Sequence, residues 1–439
     1  MSLTLTVDNN NYIFSGRSMQ ITKDKNLLLK PYHKQIHNYG IQLKLLPTEE
    51  QSNCLNQQIG NARFVRNHYL NDRIELYKNT KQTLTIEKYK KDYLPILKQN
   101  NEFLKLSDKF ALESAIEHVD NAYKKFFENI KNGNKKGFPK FVSKYKPNGN
   151  KYTTKFTNNN IEILEINGLP YIKLPKLGKI RVILPKSHTI NTLIPNNTKI
   201  LSVSIQKQNN SYTVSLQLET IIDEIIPINS VNRNNIYAMD MGIKYFGVYG
   251  NEKTNIEVIN PRWIKIHQKR LRRLQKSLSR KQYDIKTHIG SKNWNKCKLK
   301  VANEQHKIKN QRKDFQHKLS RKIVNECNVF ICEDLNIKGL LKNHHLAKEI
   351  VSCAWGQFLQ FVKYKLERRG GIFIKVDRYF ASSKLCHCCR YKNTTLTLKD
   401  RYWTCPKCNT IHHRDENAKL NLLQEGIRLL TTDFNIQII

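Results

Sequence analysis

The chain has 439 residues, and its 76 lysines and arginines against 36 aspartates and glutamates give a formal charge of +40. Self-repulsion on that scale calls for a polyanionic partner, and nucleic acid is the first candidate. No apolar run approaches the roughly 18 residues of a membrane span, and MSLTLTVDNNNYIF lacks a secretory pattern, so the expectation is a cytosolic or nuclear protein. Residues 1–35 show no sustained periodicity and read as an N-terminal extension. IQLKLLP, from Ile41, reads as a strand, and Thr48 to Gln51 then has the pattern of a helix-opening capping box. Leu55, Ile59, Ala62, Val65 and Tyr69 recur at helical spacing. A second helix is predicted over roughly 110–128, with Leu112, Ala115, Ile116, Val119, Tyr123, Phe126 and Phe127 as its apolar stripe.

After NGNKKGFPKF the period changes to two. Leu201, Val203 and Ile205 alternate with polar neighbours, Asn209–Asn210 supplies a turn, and Tyr212, Val214, Leu216 and Leu218 alternate again, which predicts a hairpin. The expected plan is a strand-rich module over 36–48 and 146–230, with a helical block, 49–145, inserted after its first strand. The polar run 229–235 reads as a boundary.

Beyond it, Ile236 to Met239 form an apolar strand ending at Asp240, with a return strand at Tyr245 to Val248. Val329 to Cys332 repeat the arrangement and end at Glu333 and Asp334. Asp415 stands at the start of a helix carrying Ala418, Leu422 and Leu423. Singly, such acids are turn residues or helix caps. Together, at one end of a sheet, they could hold two divalent cations for phosphodiester hydrolysis.

The ten cysteines divide sharply. Five are scattered, whereas Cys386, Cys388, Cys389, Cys405 and Cys408 are bunched. Cys386-x-x-Cys389 and Cys405-x-x-Cys408 have the spacing of a structural four-thiolate zinc site. Cys388 reads as a spectator, and His387, His412 and His413, which could substitute as ligands, read as flanking polar surface. Further upstream, IKIHQKRLRRLQKSLSRK places Leu271, Leu274 and Leu278 on one helix face and Lys269, Arg270, Arg272, Arg273, Lys276 and Arg280 around it, which suits phosphate contacts.

The blocks AMDMGIK, ICEDLNIKGL, VDRYFASSKLCHCC and RYWTCPKCNTIHHRDENAKLNLL, in this order, resemble those of the TnpB (OrfB) family of insertion sequences. LLPTEEQSNCLNQQIGNARFVRNHYL and KKGFPKF likewise resemble the start and the close of that family's helical block. The resemblance implies an RNA-guided DNA endonuclease of the bacterial cytosol or nucleoid, similar to miniature type V CRISPR effectors. It implies a multidomain α+β and α/β fold: a barrel-like WED module with an inserted helical recognition block, then a RuvC-like domain of RNase H fold over 231–383 and 411–430. A zinc ribbon, 384–410, would interrupt that domain, and 431–439 would be a tail. By position, Asp240, Glu333 and Asp415 match the magnesium-binding (or manganese-binding) nuclease acids, and Cys386, Cys389, Cys405 and Cys408 the zinc ligands. The implied partners are a transposon-derived guide RNA, one protein per RNA, and double-stranded target DNA read beside a short motif. Arg63, Arg66 and Asn67 are candidates near that motif. His413 replaces a customary acid and Lys419 a customary alanine, which is expected to alter the field around Asp415. A nuclease-inactive regulator and a CRISPR-associated effector are the competing expectations.

Overall fold

The structure is a computed structural model. It describes residues 7–8, 11–12 and 34–439, except 135–136, 146, 186–187, 224–227, 286, 288 and 398–399. Most of the N-terminal extension, 1–35, thus lies outside the described residues. The chain divides into two units, Met1–Glu224 and Ile225–Ile439.

In the first unit, β1 (Lys34–Leu46) begins seven residues before the predicted strand and pairs along its length with β7 (Ser211–Asp223). Helix α1 (Glu49–Thr80) opens as its sequence requires: the Thr48 side chain accepts from the Gln51 backbone N–H while the Gln51 side chain accepts from that of Thr48. Helix α2 (Lys109–Lys131) is capped by Asp108 and buries the expected stripe through Tyr123, but Phe127 stays exposed and stacks on Tyr123. Between α2 and β7 run β2 (Lys151–Lys155), β3 (Glu162–Ile166), β4 (Leu169–Leu174), β5 (Gly178–Ile183) and β6 (Thr198–Gln208).

These form one antiparallel sheet of order β2-β6-β7-β1-β5-β4-β3. The β6–β7 hairpin closes through Asn209, at φ 56°, a left-handed conformation that asparagine tolerates. One predicted core residue differs. Ile200 pairs with Leu218 and Ser202 with Gln217, so Leu201 is the extra residue of a bulge and is only half-buried. Among the described residues β2 and β3 are edges, so the expected barrel-like module is an open ladder in its hydrogen bonding.

The second unit is built on a five-stranded sheet of order β10-β9-β8-β11-β12, from β8 (Ile236–Asp240), β9 (Tyr245–Gly250), β10 (Ile256–Ile259), β11 (Val329–Glu333) and β12 (Ile372–Val376). β8 pairs antiparallel with β9 and parallel with β11, and β11 parallel with β12. Strands buried on both faces need helices on both. Tyr237, Met239, Phe330 and Cys332 pack against α4 (Lys292–Glu326) and α5 (Trp355–Glu367), and Ile236, Ala238, Val329 and Ile331 against α6 (Arg414–Thr432). The approach of α6 is close enough that a Cβ at Gly426 would meet Ile331 at 2.4 Å. Helix α3 (Trp263–Ser279) lies along α4, its Leu271, Leu274 and Leu278 half-buried as predicted. The expected tail is tied down: Gln437 and Ile438 pair with Ser230 and Val231.

Candidate active site and metal centre

Parallel pairing of β8 with β11 sets Met239 opposite Cys332, so Asp240 and Glu333 leave adjacent strands at the same end. Asp415, the second residue of α6, joins them electrostatically. The Asp240 carboxyl is pushed up to about 8, first by burial and then by the charges of Asp415 and Glu333, against the opposing pull of Arg414 and Arg401. Burial, followed by Asp334, also raises Glu333. Neither the Asp240 nor the Glu333 carboxyl has a hydrogen-bond or ion-pair partner among the described residues. Asp334 differs. It is bonded to Lys375 (3.0 Å) and Arg378, which hold its carboxyl below the usual carboxylate range. Of the two consecutive acids, therefore, Glu333 remains available for a ligand.

Asp415 is gripped by a residue that sequence reasoning missed. Arg401 Nη1 donates to both its carboxylate oxygens, at 3.1 and 3.0 Å. Arg414 is fixed beside it, its backbone N–H donating to Arg401 O at 2.8 Å. Among the described residues, only the four cysteines bring three or more ligand atoms all within 4.8 Å of one another. The acids stand wider than a closed coordination set, as unneutralised like charges should. Two half-buried, unpartnered carboxyl groups beside a third are a donor set that suits hard, oxygen-seeking cations such as magnesium.

The second metal candidate is compact. Cys386 Sγ lies 3.6 Å from Cys408 Sγ, and Cys389 Sγ 3.5 Å from Cys405 Sγ. Tetrahedral Zn–S bonds of about 2.3 Å require sulfur separations of roughly 3.8 Å, so the four thiolates fit zinc. Cys388 is exposed, as expected of a spectator. His412 is not the polar surface predicted. It is 2 % exposed, sits 4.7 Å from the Trp403 ring, and brings Nε2 within 3.0 Å of Cys386 Sγ. β13 (Tyr402–Thr404) and β14 (Ile411–His413) pair beside it, and the ribbon runs from β14 straight into α6.

One face of α6 fastens that ribbon. Asn417 accepts from the His387 N–H and donates to Leu385 O, while Asn421 donates to Ser382 O and Leu385 O and accepts from Arg390. Arg390 also reaches Gln424. The spacing 417, 421, 424 was a visible helical stripe of amides, but nothing in it named the ribbon as its partner. Lys419, the departure from the family pattern, turns elsewhere: its ammonium, 1 % exposed, donates to Asn251 O (2.9 Å) and Thr254 O (2.7 Å), anchoring α6 to the β9–β10 connection.

The nucleic-acid candidates separate. In the first unit, Arg63 donates to Gly149 O (2.7 Å) and Arg66 to Lys140 O (3.2 Å), while Asn67 exchanges two hydrogen bonds with the Val142 backbone. Their visible work is to hold the 140–149 loop. On α3, Arg270 pairs with the buried Glu304 (3.1 Å), whereas Arg272, Arg273, Lys276 and Arg280 are exposed and have no acidic partner among the described residues.

Comparison with known proteins matches three family models along the chain: a helix-turn-helix domain of OrfB type (residues 38–82), the OrfB_IS605 model described as "Probable transposase" (207–344), and the Cas12f1-like TNB domain (355–422). A protein of Streptomyces pristinaespiralis, named "Putative RNA-guided DNA endonuclease", is 37 % identical over 174 residues, which cover 40 % of this chain and 42 % of that one. The similarly named InsQ of Escherichia coli K12 is 23 % identical over 351 residues, covering 76 % and 79 %. Thus the chain spans less than half of the Streptomyces relative in the matched region but more than three quarters of InsQ. Among solved structures, the Cas12f1 chain of a Cas12f1-sgRNA-target DNA complex is similar in fold, with a TM-score of 0.55 at 14 % identity, covering 89 % of this chain and 99 % of that one. With these models matched in order along it, the chain is similar to proteins of the TnpB (OrfB) family.

Proposed function

We propose that the protein is an RNA-guided DNA endonuclease of an insertion-sequence element, hydrolysing phosphodiester bonds at Asp240, Glu333 and Asp415. The observation that carries the reading is that Asp240 and Glu333 end adjacent parallel strands unpartnered, with Asp415 close enough to help raise the Asp240 carboxyl to about 8. A fold without a ligand to serve there would neutralise such acids, as this one does Asp334. When bound, magnesium or manganese would activate a water and stabilise the leaving oxygen.

The chain's own residues prepare that chemistry. Asp240 keeps its proton near neutrality and gives it up when positive charge arrives. Arg401 orients the Asp415 carboxylate through a two-oxygen grip, and the amides of α6 hold the zinc ribbon so that Arg401 and Asp415 stay in register. Zinc is structural in this scheme, because four thiolates leave no open position. We read the second unit as a RuvC-like nuclease domain interrupted by the ribbon, supported by the strand order and directions. The first unit is read as a WED-like module with its helical recognition block. Phosphate contacts are assigned to Arg272, Arg273, Lys276 and Arg280, and to the N–H groups of Arg63 and Arg66 that the 140–149 loop leaves open. A guide RNA from the transposon end, one protein per RNA and a cytoplasmic location complete the proposal; no helix of the described residues is long and apolar enough to cross a membrane.

The test is cleavage of a plasmid library carrying randomised bases beside a fixed target, by protein purified with its RNA, in magnesium, with Asp240→Ala as control. Cutting that requires both the guide and Asp240 is expected. Guide-dependent binding without cutting would establish the regulator instead.

A further inference from the structure

Away from the acids, α4 and α5 pack side by side and leave an open groove of about 610 Å³. His317, Lys318, Arg321 and Lys322 line it from α4, and Tyr364 and Lys365 from α5. Its floor is built rather than incidental. Lys365 is 9 % exposed and donates from Nζ to His317 O (2.8 Å) and Ser320 Oγ (2.6 Å), joining the helices beneath the groove. Arg369 closes one end by donating to Val324 O (2.7 Å) and Asn325 Oδ1 (3.2 Å).

The charge within is one-sided. No carboxylate lines the groove, and α4 as a whole carries eleven lysines and arginines against three acids. Lys318 shares Asp314 at 2.8 Å, but Arg321 and Lys322 have no acidic partner among the described residues. Crowding shows in the neighbours: burial and then Arg321 press the Lys365 ammonium down to about 8, and burial, then Lys365 and Lys313, press the His317 imidazole down to about 4. Cations forced together around a fixed floor are unfavourable in the free protein and become favourable when an anion fills the space.

The walls add flat surfaces. The Arg368 guanidinium lies 5.1 Å from the Tyr364 ring, and His317 stacks on Phe361 at 3.9 Å. Basic side chains interleaved with aromatic faces are the chemistry of an unpaired nucleic-acid strand, whose phosphates take the cations and whose bases take the rings. From Lys318 to Lys322 the helix rises about 6 Å, on the order of the separation of neighbouring phosphates in an extended strand. A standing deficit of anions favours a resident strand over a passing one.

We propose that the α4–α5 groove seats a single-stranded stretch of the RNA the protein carries, with phosphates on Lys318, Arg321 and Lys322 and a base against Tyr364. This rests on the RNA-guided reading for the presence of RNA, and on the groove for where it lies. The test uses full-length protein, the RNA that co-purifies with it, and a single-stranded DNA of the same sequence, titrated over a series of salt concentrations.

Arg321→Ala/Lys322→Ala removes two exposed, unpaired charges and should leave the melting temperature unchanged. It is expected to lower the slope of log affinity against log salt by about 1.4 for RNA, with a roughly tenfold loss of affinity. Tyr364→Ala should weaken RNA binding about tenfold, while Tyr364→Phe restores it, since the ring and not the hydroxyl is used. Unchanged RNA affinity and slope in both variants, beside a wild type that binds RNA, would overturn the groove alone and leave the nuclease reading standing. A loss confined to the DNA arm would overturn the choice of RNA. A wild-type protein that binds no RNA would overturn both.

Discussion

The cysteine cluster and the acid centre lie along one helix and are made in opposite ways. All four sulfurs of the cluster come from Cys386 to Cys408, from two tight loops, and reach near-tetrahedral separations of 3.5 and 3.6 Å through local backbone alone. The acids come from two strands and a helix distant in sequence, and only the five-stranded sheet and the packing of α6 bring them together. With zinc bound, the cluster would leave no coordination position open. The centre keeps two unpartnered carboxylates and a proton held to about pH 8, which is an unfavourable arrangement that the rest of the unit must stabilise. Local backbone makes the cysteine site; long-range packing makes the acid one.

The largest expected effect breaks the cysteine side. Cys405→Ser removes a thiolate from a closed site, where apparent zinc binding in small domains is worth about 10–16 kcal/mol. Bound zinc should be lost by metal analysis, and cleavage should fall below detection, because Arg401 and Asp415 flank the ribbon's end. If zinc is lost while cleavage persists, the ribbon does not position the acids. Next, Asp240→Asn should reduce cleavage at least about a thousandfold while zinc content stays normal, which separates the two sites. Without added divalent cation, and above about pH 8 where the carboxyl ionises, the same variant should melt higher than wild type, since it removes a charge that burial, Asp415 and Glu333 disfavour.

Arg401→Ala tests the hinge between the sites. Losing a group that orients a metal ligand typically costs about 10–100-fold in activity. The magnesium concentration for half-maximal cleavage should fall rather than rise, because a positive charge leaves an anionic cluster. Gly426→Ala probes the packing that supports the centre. Its Cβ would lie 2.4 Å from Ile331, and overpacking of this kind costs about 1–3 kcal/mol. Thermal melting should show that loss with the zinc content unchanged; an unaltered melting temperature would mean that α6 has slack against β11.

The same contrast decides what could be read in the sequence. Features closed within a few residues were legible: the Thr48–Gln51 box, the Asn209 turn, the apolar stripes of α1 and α2, and the paired cysteines. Features requiring a distant partner were not. Arg63, Arg66 and Asn67 gave no sign that they hold backbone carbonyls of the 140–149 loop, nor Arg401 that it grips Asp415. His412 looked like polar surface because its burial against Trp403 depends on the β13–β14 pairing. Leu201 left the core through a bulge that alternation cannot encode. Asp240, Glu333 and Asp415 each passed singly for a turn or cap residue; the strand-end pattern already suggested them as a set, but their mutual placement came only with the pairing of β8 and β11.

The smallest effect sharpens the comparison through pH. The Asp240 carboxyl titrates near 8 in the folded chain and near 3.8 when unfolded, so between those values the folded state binds the extra proton. Its contribution to stability is therefore fully present below about pH 4 and is lost as the pH rises through 8. Wild-type protein without added magnesium should lose melting temperature over that window relative to Asp240→Asn, by a few degrees at most, because solvent reaches the site. Magnesium should flatten the difference by binding the ionised form, and its uptake should release a proton measurable in weakly buffered solution. The cysteine cluster, with zinc in place, provides the internal control: the Cys388→Ser variant, which alters only the exposed spectator thiol, should keep the wild-type slope. A slope that Asp240→Asn leaves intact would show that the proton sits elsewhere and that the acids do not act as one charged group.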